Sequence, residues 1–266
     1  PGSLEAALGR ERSGESILRG VLTLQPSNAL TLEGGLEGAF NFLSAKTAIT
    51  EDGRPVPIPN ANVRVEEKRG EAFANAVWKP SSRLSVDARL GLEASEISQS
   101  GDTNLSRSFF FPKPRLLLSY APSEQSQIRL RLQREVGQLR FNDFVANTDF
   151  GSGVVSAGGA QLQPENAWVV EAALERRFWG RGAMILTATH EEVRQVVDRI
   201  PLAGFDAPGN IGDGVRNRIE GTFTVPLDKL GIANGLFTGT ITRRWSKVTD
   251  PVTLRGRRIS AEPSSA

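Results

Sequence analysis

Leu30-Thr31-Leu32-Glu33-Gly34-Gly35-Leu36-Glu37-Gly38-Ala39-Phe40-Asn41-Phe42 decides how this chain folds. The even positions are Leu, Gly or Phe, while the odd positions carry Thr, Glu, Gly, Ala and Asn. A strand with this order has one apolar and one polar face. The same period of two returns at Leu84-Val86-Ala88-Leu90-Leu92, at Ile128-Leu130-Leu132 and at Trp168-Val170-Ala172-Leu174. Looser copies occupy 15–25, 70–78, 108–120, 183–197, 216–225 and 235–247. The pattern predicts about ten strands and no helix. Several alternations run for ten residues or more, whereas soluble strands average about five or six and tilted membrane-spanning strands need about 9 to 11. Length therefore favours a bilayer.

The connections sort into two kinds. Pro26-Ser27-Asn28, Pro80-Ser81-Ser82, Pro122 to Ser126, Gly180-Arg181-Gly182 and the longer Pro226 to Asn234 join neighbouring strands tightly. Between them lie polar, Gly/Pro/Asn/Asp-rich segments at 43–69, 96–107, 140–165 and 198–215. Short turns at one end and long loops at the other mark an antiparallel up-and-down transmembrane β-barrel, with the turns in the periplasm and the loops outside. In that orientation the strand at 15–25 runs inward, the strand at 29–42 runs outward, and both ends of the chain reach the outer rim. The expectation is an internal fragment of a larger barrel, with residues 1–266 forming part of one outer-membrane β-barrel domain and no plug domain.

Composition excludes other classes. The 32 basic and 30 acidic residues nearly cancel, so no nucleic-acid footprint is visible. Zero Cys removes disulfide frameworks, thiolate metal sites and cysteine nucleophiles. Mean hydropathy is −0.26 and no run of eighteen apolar residues exists, which excludes a membrane helix and leaves strands. Pro1-Gly2-Ser3-Leu4-Glu5 has neither the cationic nor the apolar part of a secretion signal, as expected after cleavage or for an internal start. His190, the only histidine, stands beside Glu191 and Glu192, too few firm ligands for a metal, and no G-x-S-x-G elbow exists. Gly151-Ser152-Gly153 and Gly158-Gly159 precede no Lys-Ser/Thr and are expected to form a mobile loop rather than a phosphate cradle. The carboxylate pairs Glu66-Glu67 and Glu191-Glu192 could in principle do acid-base work, but are expected to be charged loop ends. No catalytic, cofactor-binding or metal-binding residue is expected, and no enzyme activity.

Asp87, Arg89, Glu93, Arg129, Arg131, Glu171 and Glu175 recur on the polar faces and are expected to line a lumen. Trp78, Trp168, Phe178, Trp179 and Trp245 fall near strand ends, where amphipathic rings sit at headgroup level. Phe109-Phe110-Phe111 places rings on both faces of one strand, as at a rim or against loops or a plug.

Gly159-Ala160-Gln161-Leu162-Gln163-Pro164-Glu165 followed by Asn166-Ala167-Trp168 resembles the segment that begins a barrel strand in TonB-dependent outer-membrane receptors. That family reads approximately Asn-Pro-x-Leu-x-Pro-Glu before an aromatic; Gly159-Ala160 replaces Asn-Pro. Arg134 to Phe144 is similar to the strand end and loop start preceding that motif. Phe110 to Arg115 and Thr249 to Thr253 are looser matches, so the resemblance spans roughly residues 70–260. It implies a large barrel closed by an N-terminal plug that imports a scarce nutrient, such as a ferric siderophore, with energy from the TonB complex. The implied partners are outer-membrane lipid, the plug, TonB and a small-molecule ligand, with ligand contacts in loops 43–69 and 140–165. A passive porin-like channel and a soluble β-sheet binding protein are the other readings.

Overall fold

A computed structural model describes residues 4–51, 53–149, 154–202 and 204–260. The long strands are β1 (Leu4–Ser27), β2 (Leu30–Glu51), β4 (Asn62–Ser81), β5 (Leu84–Gly101), β6 (Leu105–Ser123), β7 (Ser126–Val136), β10 (Asn166–Phe178), β11 (Gly182–Arg194), β14 (Gly214–Pro226) and β15 (Leu236–Thr249). Between and after them lie the short β3 (Arg54–Val56), β8 (Asn147–Asp149), β9 (Val154–Ser156), β12 (Val197–Leu202), β13 (Phe205–Asn210) and β16 (Gly256–Arg257). The ten long strands follow one another in chain order through a single sheet, every neighbouring pair antiparallel. This is the up-and-down barrel wall that the alternation predicts. Among the described residues the wall is open, with β1 at one end and β16 at the other.

Serine closes two of the tight turns. The Ala29 N–H donates to Ser27 Oγ at 3.3 Å and the Arg83 N–H to Ser81 Oγ at 3.3 Å, a side chain standing in for a backbone acceptor. At Phe178–Gly182 the chain reverses through Trp179 and Gly180, at φ of 50° and 75°. Trp179 bears that left-handed backbone and exposes half its surface next to Phe178.

Two segments read as long loops are mostly strand. Residues 43–51 continue β2, 62–69 begin β4, and 96–107 hold the end of β5, a tight turn and the start of β6. The first five wall strands are thus 18 to 24 residues long, against 11 to 14 for the last five. A bilayer accounts for about 9 to 11 residues of each. The tall part of the wall projects well beyond the membrane at the long-loop end.

The other two long segments fold inward. The described residues of 137–165 and 195–213 include a second, four-stranded sheet in the order β12-β13-β9-β8. The chain flanking this sheet lies against the inner face of the projecting wall, where Leu43, Ala45 and Val63 meet Val145, and Val65 and Ile97 meet Phe144 and Leu162. Ile49 packs with Ile58, Ala146, Ala157 and Ala207. Gly158 and Gly159 sit inside this packing: a Cβ on either would fall 2.2 Å from Phe144 O or 2.1 Å from Pro208 O. The expectation of a mobile glycine loop is therefore corrected at these two positions, and Gly151-Ser152-Gly153 lie outside the described residues.

Candidate functional site

Directly opposed residues of antiparallel strands share a face, so the register sorts every side chain of the wall. Lipid-facing rows run Leu24-Leu32-Ala76-Ala88-Leu116-Leu132-Val170 and Tyr120-Ile128-Leu174-Leu186. Trp78, Trp168, Trp179 and Trp245 each expose 40% or more of their surface, outward or at a turn, in two levels bracketing the apolar band. Of the Phe triplet, Phe110 points out and is 64% exposed, while Phe109 and Phe111 point in and stack at 5.9 Å.

The inner face of the membrane-level wall is an ionic ladder. Glu37 takes Arg19 at 3.8 Å and Arg69 at 3.3 Å. Glu71 takes Arg89 at 3.0 Å and Lys113, which also reaches Glu93 at 2.8 Å. Asp87 holds Arg115 at 2.9 Å and Glu171 holds Arg131 at 2.8 Å. Arg19 and Arg89 also lie over the Phe73 ring at 5.1 and 4.1 Å. Asp87, Arg89, Glu93, Arg131 and Glu171 are thus joined as expected of a lumen wall. Arg129 shares that face, yet among the described residues no carboxylate reaches it. Glu175 pairs instead with Arg177 at 2.9 Å.

His190 and its neighbouring carboxylates do not converge. His190 and Glu192 face outward, where His190 Nδ1 meets Asn217 Oδ1 at 2.7 Å, whereas Glu191 faces inward toward Arg216. Among the described residues no cluster of three metal-ligating side chains exists.

Above the ladder the cap borders a half-open cavity of about 1190 Å³. Its lining comes from Pro57–Asn60, from Asp102 to Arg107, from Gly159–Gln163 and from residues of 195–210. Segments of the two loops expected to bind ligand, 43–69 and 140–165, meet here, together with the β5–β6 turn and the β11–β14 loop, long polar segments of the sequence that carry no ligand expectation. Asn60 is the joint: its Nδ2 donates to Gly158 O at 2.7 Å, its Oδ1 accepts from Thr103 Oγ1 at 2.8 Å, and its carbonyl accepts from the Ala146 N–H. Asn210 does the same across the cavity, donating to Gln163 O at 3.0 Å and Gln195 O at 2.8 Å. Pro-Asn and Asn-Ile pairs carry no sequence signal for such long-range roles. The lining is amide-rich and apolar. Its one Arg and one Asp are already engaged, Arg107 with Gln161 O at 3.0 Å and Asp102 with the Asn62 N–H at 2.8 Å.

Carboxylates brace the cap. Glu165, at the end of the receptor-like segment, accepts from Arg216 at 2.9 Å and from the Val197 N–H at 2.7 Å, tying β10, β12 and β14 together. Burial alone would raise Asp198, but the Ser260 N–H, the Arg257 guanidinium and the Arg199 N–H together hold it below the usual carboxylate range. The Thr253 N–H, Arg257 and the Val252 N–H bring Asp250 down to about 2. Asp143 moves the other way, because burial outweighs its contact with Arg140.

This arrangement has counterparts among solved structures. The chain is similar to the copper transporter OprC (TM-score 0.67, 13% identity), over 90% of this chain and 38% of that one. The fold is that of a TonB-dependent receptor barrel. The ferric yersiniabactin uptake receptor FyuA from Yersinia pestis aligns over 97% of this chain and 39% of its own (TM-score 0.65, 11% identity). The FrpB iron transporter from Neisseria meningitidis aligns over 91% and 36% (TM-score 0.61, 10% identity). This chain therefore spans about two fifths of the length of each. No family model and no curated protein matches the chain in sequence.

Proposed function

We propose that the chain is the outer part of a nutrient importer of the Gram-negative outer membrane, with residues 1–266 belonging to one barrel domain. The capped cavity at the long-loop end carries this reading, because a passive pore would gain nothing from an apolar lid over its mouth. In the whole protein the ionic ladder faces a plug, and the TonB complex supplies the energy for transport. The described lining of the pocket offers amides and apolar surface, which support binding and passage as its role.

The ligand is an organic molecule or an organic metal chelate of the ferric siderophore type, held by hydrogen bonds and apolar contact. A bare metal ion is disfavoured, since among the described residues no His, Cys, Met or Tyr lines the cavity. Uptake of a labelled panel of chelates and small nutrients by cells with and without the gene, in TonB-competent and TonB-deficient backgrounds, tests this. Gene-dependent uptake should vanish without TonB and fall at least about tenfold in affinity for Asn210→Leu at unchanged surface level. Uptake that persists without TonB would support the porin-like channel instead.

A further inference from the structure

The wall splits between β6 and β7. Their pairing runs from the tight turn up to Arg115 opposite Gln133 and stops there, while β6 continues to Leu105 paired only with β5. Both strands lie inside the strand order, away from β1 and β16 at its two ends. Pro112 and Pro114 explain the stop. Residues of an antiparallel strand aim N–H and C=O at alternate neighbours, and a proline has no N–H to give. Both prolines stand in the unbroken β5–β6 register, opposite Leu92 and Leu90, so their missing donors face the β7 side and β7 cannot follow. Arg134 marks that side: its Nη1 donates to Pro112 O at 3.4 Å. Phe110, Ser108 and Ser106 share the parity of the prolines and therefore aim N–H and C=O at the same open side. All three are exposed, and among the described residues these backbone groups have no partner there. Ser106 Oγ turns instead to Glu96 of β5, at 2.9 Å.

Height decides what this edge can meet. Pro112 and Pro114 are level with the exposed, lipid-facing Leu92 and Leu90, where an unpaired N–H has no water to bond. Above Phe110 the next outward pair is Glu96 and Ser108, so the edge enters water with its donors intact. Proteins blunt such edges with proline, lysine or a bulge, and from Leu105 to Phe111 this one has none of them. Two guanidiniums bracket it. Arg134, one step past the Arg115–Gln133 pair and so level with Pro114, stands on the outward face, and Arg107 stands near the top on the inward face. Both reach only neutral groups: Arg107 the Gln161 O at 3.0 Å, and Arg134 the Pro112 O, the Asn166 Oδ1 at 3.2 Å and the Phe111 ring at 5.8 Å. Among the described residues no carboxylate pairs with either. A row of free backbone groups thus runs between two uncompensated positive charges.

We propose that the upper edge of β6 takes an extended, acidic peptide segment of a partner protein outside the cell as an added strand. Main-chain bonds to Ser106, Ser108 and Phe110 hold it, and its carboxylates meet Arg134 and Arg107. The interval from Pro114 to Arg107 is odd, so carboxylates at its two ends fall on opposite faces of the added strand, as the two guanidiniums do. The inference rests on the membrane orientation given under Proposed function, with the long-loop end outside.

The test uses the protein extracted in detergent from its own membrane. Binding is measured to three blocked peptides of about eight residues, the length that spans the edge at ~3.3 Å per residue. The first alternates Thr and Val with Glu at both ends, the second carries Lys at both ends, and the third is the Glu form N-methylated throughout. The Glu peptide should bind at least about tenfold more tightly than either of the others. Ser108→Pro removes a free N–H without touching the β5 ladder and should abolish that binding, whereas Ser108→Ala should keep it. Ser106→Pro, of the same parity, serves if Ser108→Pro misfolds; a variant counts only if it stays folded in unboiled gel migration. Arg107→Gln/Arg134→Gln should erase the preference for Glu over Lys. Equal affinity for the three peptides overturns the proposal. Binding that survives the proline variant overturns it too, since the peptide then sits elsewhere, the cavity included. This chain has no cysteine, so Ser106→Cys reports the orientation and should react with an impermeant maleimide on intact cells. If it does not, while the extracted protein still binds the Glu peptide, the orientation under Proposed function has failed rather than the edge, and the outside partner fails with it.

Discussion

The lower and upper halves of the same strands are built inside out relative to each other. At membrane level β2 turns Leu32, Leu36 and Phe40 outward and Glu33, Glu37 and Asn41 inward. Two residues later the order reverses, with Leu43, Ala45 and Ile49 buried inside and Ser44 and Lys46 outside. The switch recurs between Glu67 and Val65 on β4, between Glu93 and Ile97 on β5, and between Glu171 and Val169 on β10. One backbone ladder thus serves two solvents. Where hydrocarbon surrounds the wall, charges retreat to the lumen and pair there; where water surrounds it, the apolar residues retreat and the inward-folded loops cover them. The cap is a small soluble-type core grafted on a membrane wall.

The strongest way to break this contrast is through the cap core. Leu43 is 2% exposed among Ala45, Val63 and Val145. Leu43→Ala should cost about 2 to 5 kcal/mol, the range for truncating a buried Leu. Hydrogen exchange should show the loss at 137–165 before it reaches the lower strands. Uniform loss along β2 would mean that wall and cap form one cooperative unit. Next comes the lipid face, where Leu130→Arg should cost about 2 to 4 kcal/mol in a bilayer. Arg129→Leu, one residue away on the inner face, should cost much less, since no carboxylate reaches Arg129 among the described residues. Equal and small losses in a lipid unfolding titration would contradict the assignment of the two faces.

The inversion also explains what the sequence reveals. Leu30 to Phe42 reads as strand because one parity stays apolar throughout. At Phe42-Leu43 the apolar residues jump to the other parity, alternation fails over a few residues, and strand continuing into water looks like loop. Hence 43–69 and 96–107 read as long loops although most of their residues extend β2, β4, β5 and β6. Phe109-Phe110-Phe111 marks the same crossover on β6, where both faces are briefly apolar, and its oddness as a lumen element was the visible trace. The number and order of the long strands were legible because turns and alternation are local. The cavity was not, since Asn60 meets Gly158 and Asn210 meets Gln163 only after the loops fold across the mouth. Glu165 was visible through family resemblance alone, and its pairing with Arg216 needed the register.

A smaller effect sharpens the comparison on the lumen side. Glu71 is the node between Arg89 and Lys113, with side-chain exposures of 13%, 28% and 24%. Glu71→Gln leaves Lys113 with Glu93 and Arg89 over Phe73, so the loss should be about 1 kcal/mol, as for solvent-accessible pairs. It should shrink further in high salt, because the lumen is wet and screening reaches it. A salt-independent loss of several kcal/mol would place these charges in a dry interior, like that of the cap.

The most local effect tests the cap from its edge. Asp198, Arg257 and Asp250 clasp residues 256–260 against β12, and Ile259 is buried beside Val193 and Val196. Both carboxylates have lowered pKa values in the folded protein. Their stabilisation is therefore complete above the ordinary carboxylate value of about 4 and is lost as the pH falls toward Asp250's value of about 2. Asp143, raised by burial, has the opposite sign: its ionisation opposes the fold at neutral pH, and protonation relieves that cost. Acid should consequently loosen the cap at 256–260 while residues around Asp143 hold or gain protection. Exchange measured at pH 7, 4 and 2.5 would show the split, and Asp198→Asn should release 256–260 already at pH 7. If both segments loosened together on acidification, the cap would be held by net charge rather than by these particular carboxylates, and the lower wall, with its lumen pairs, would then be expected to follow the same curve.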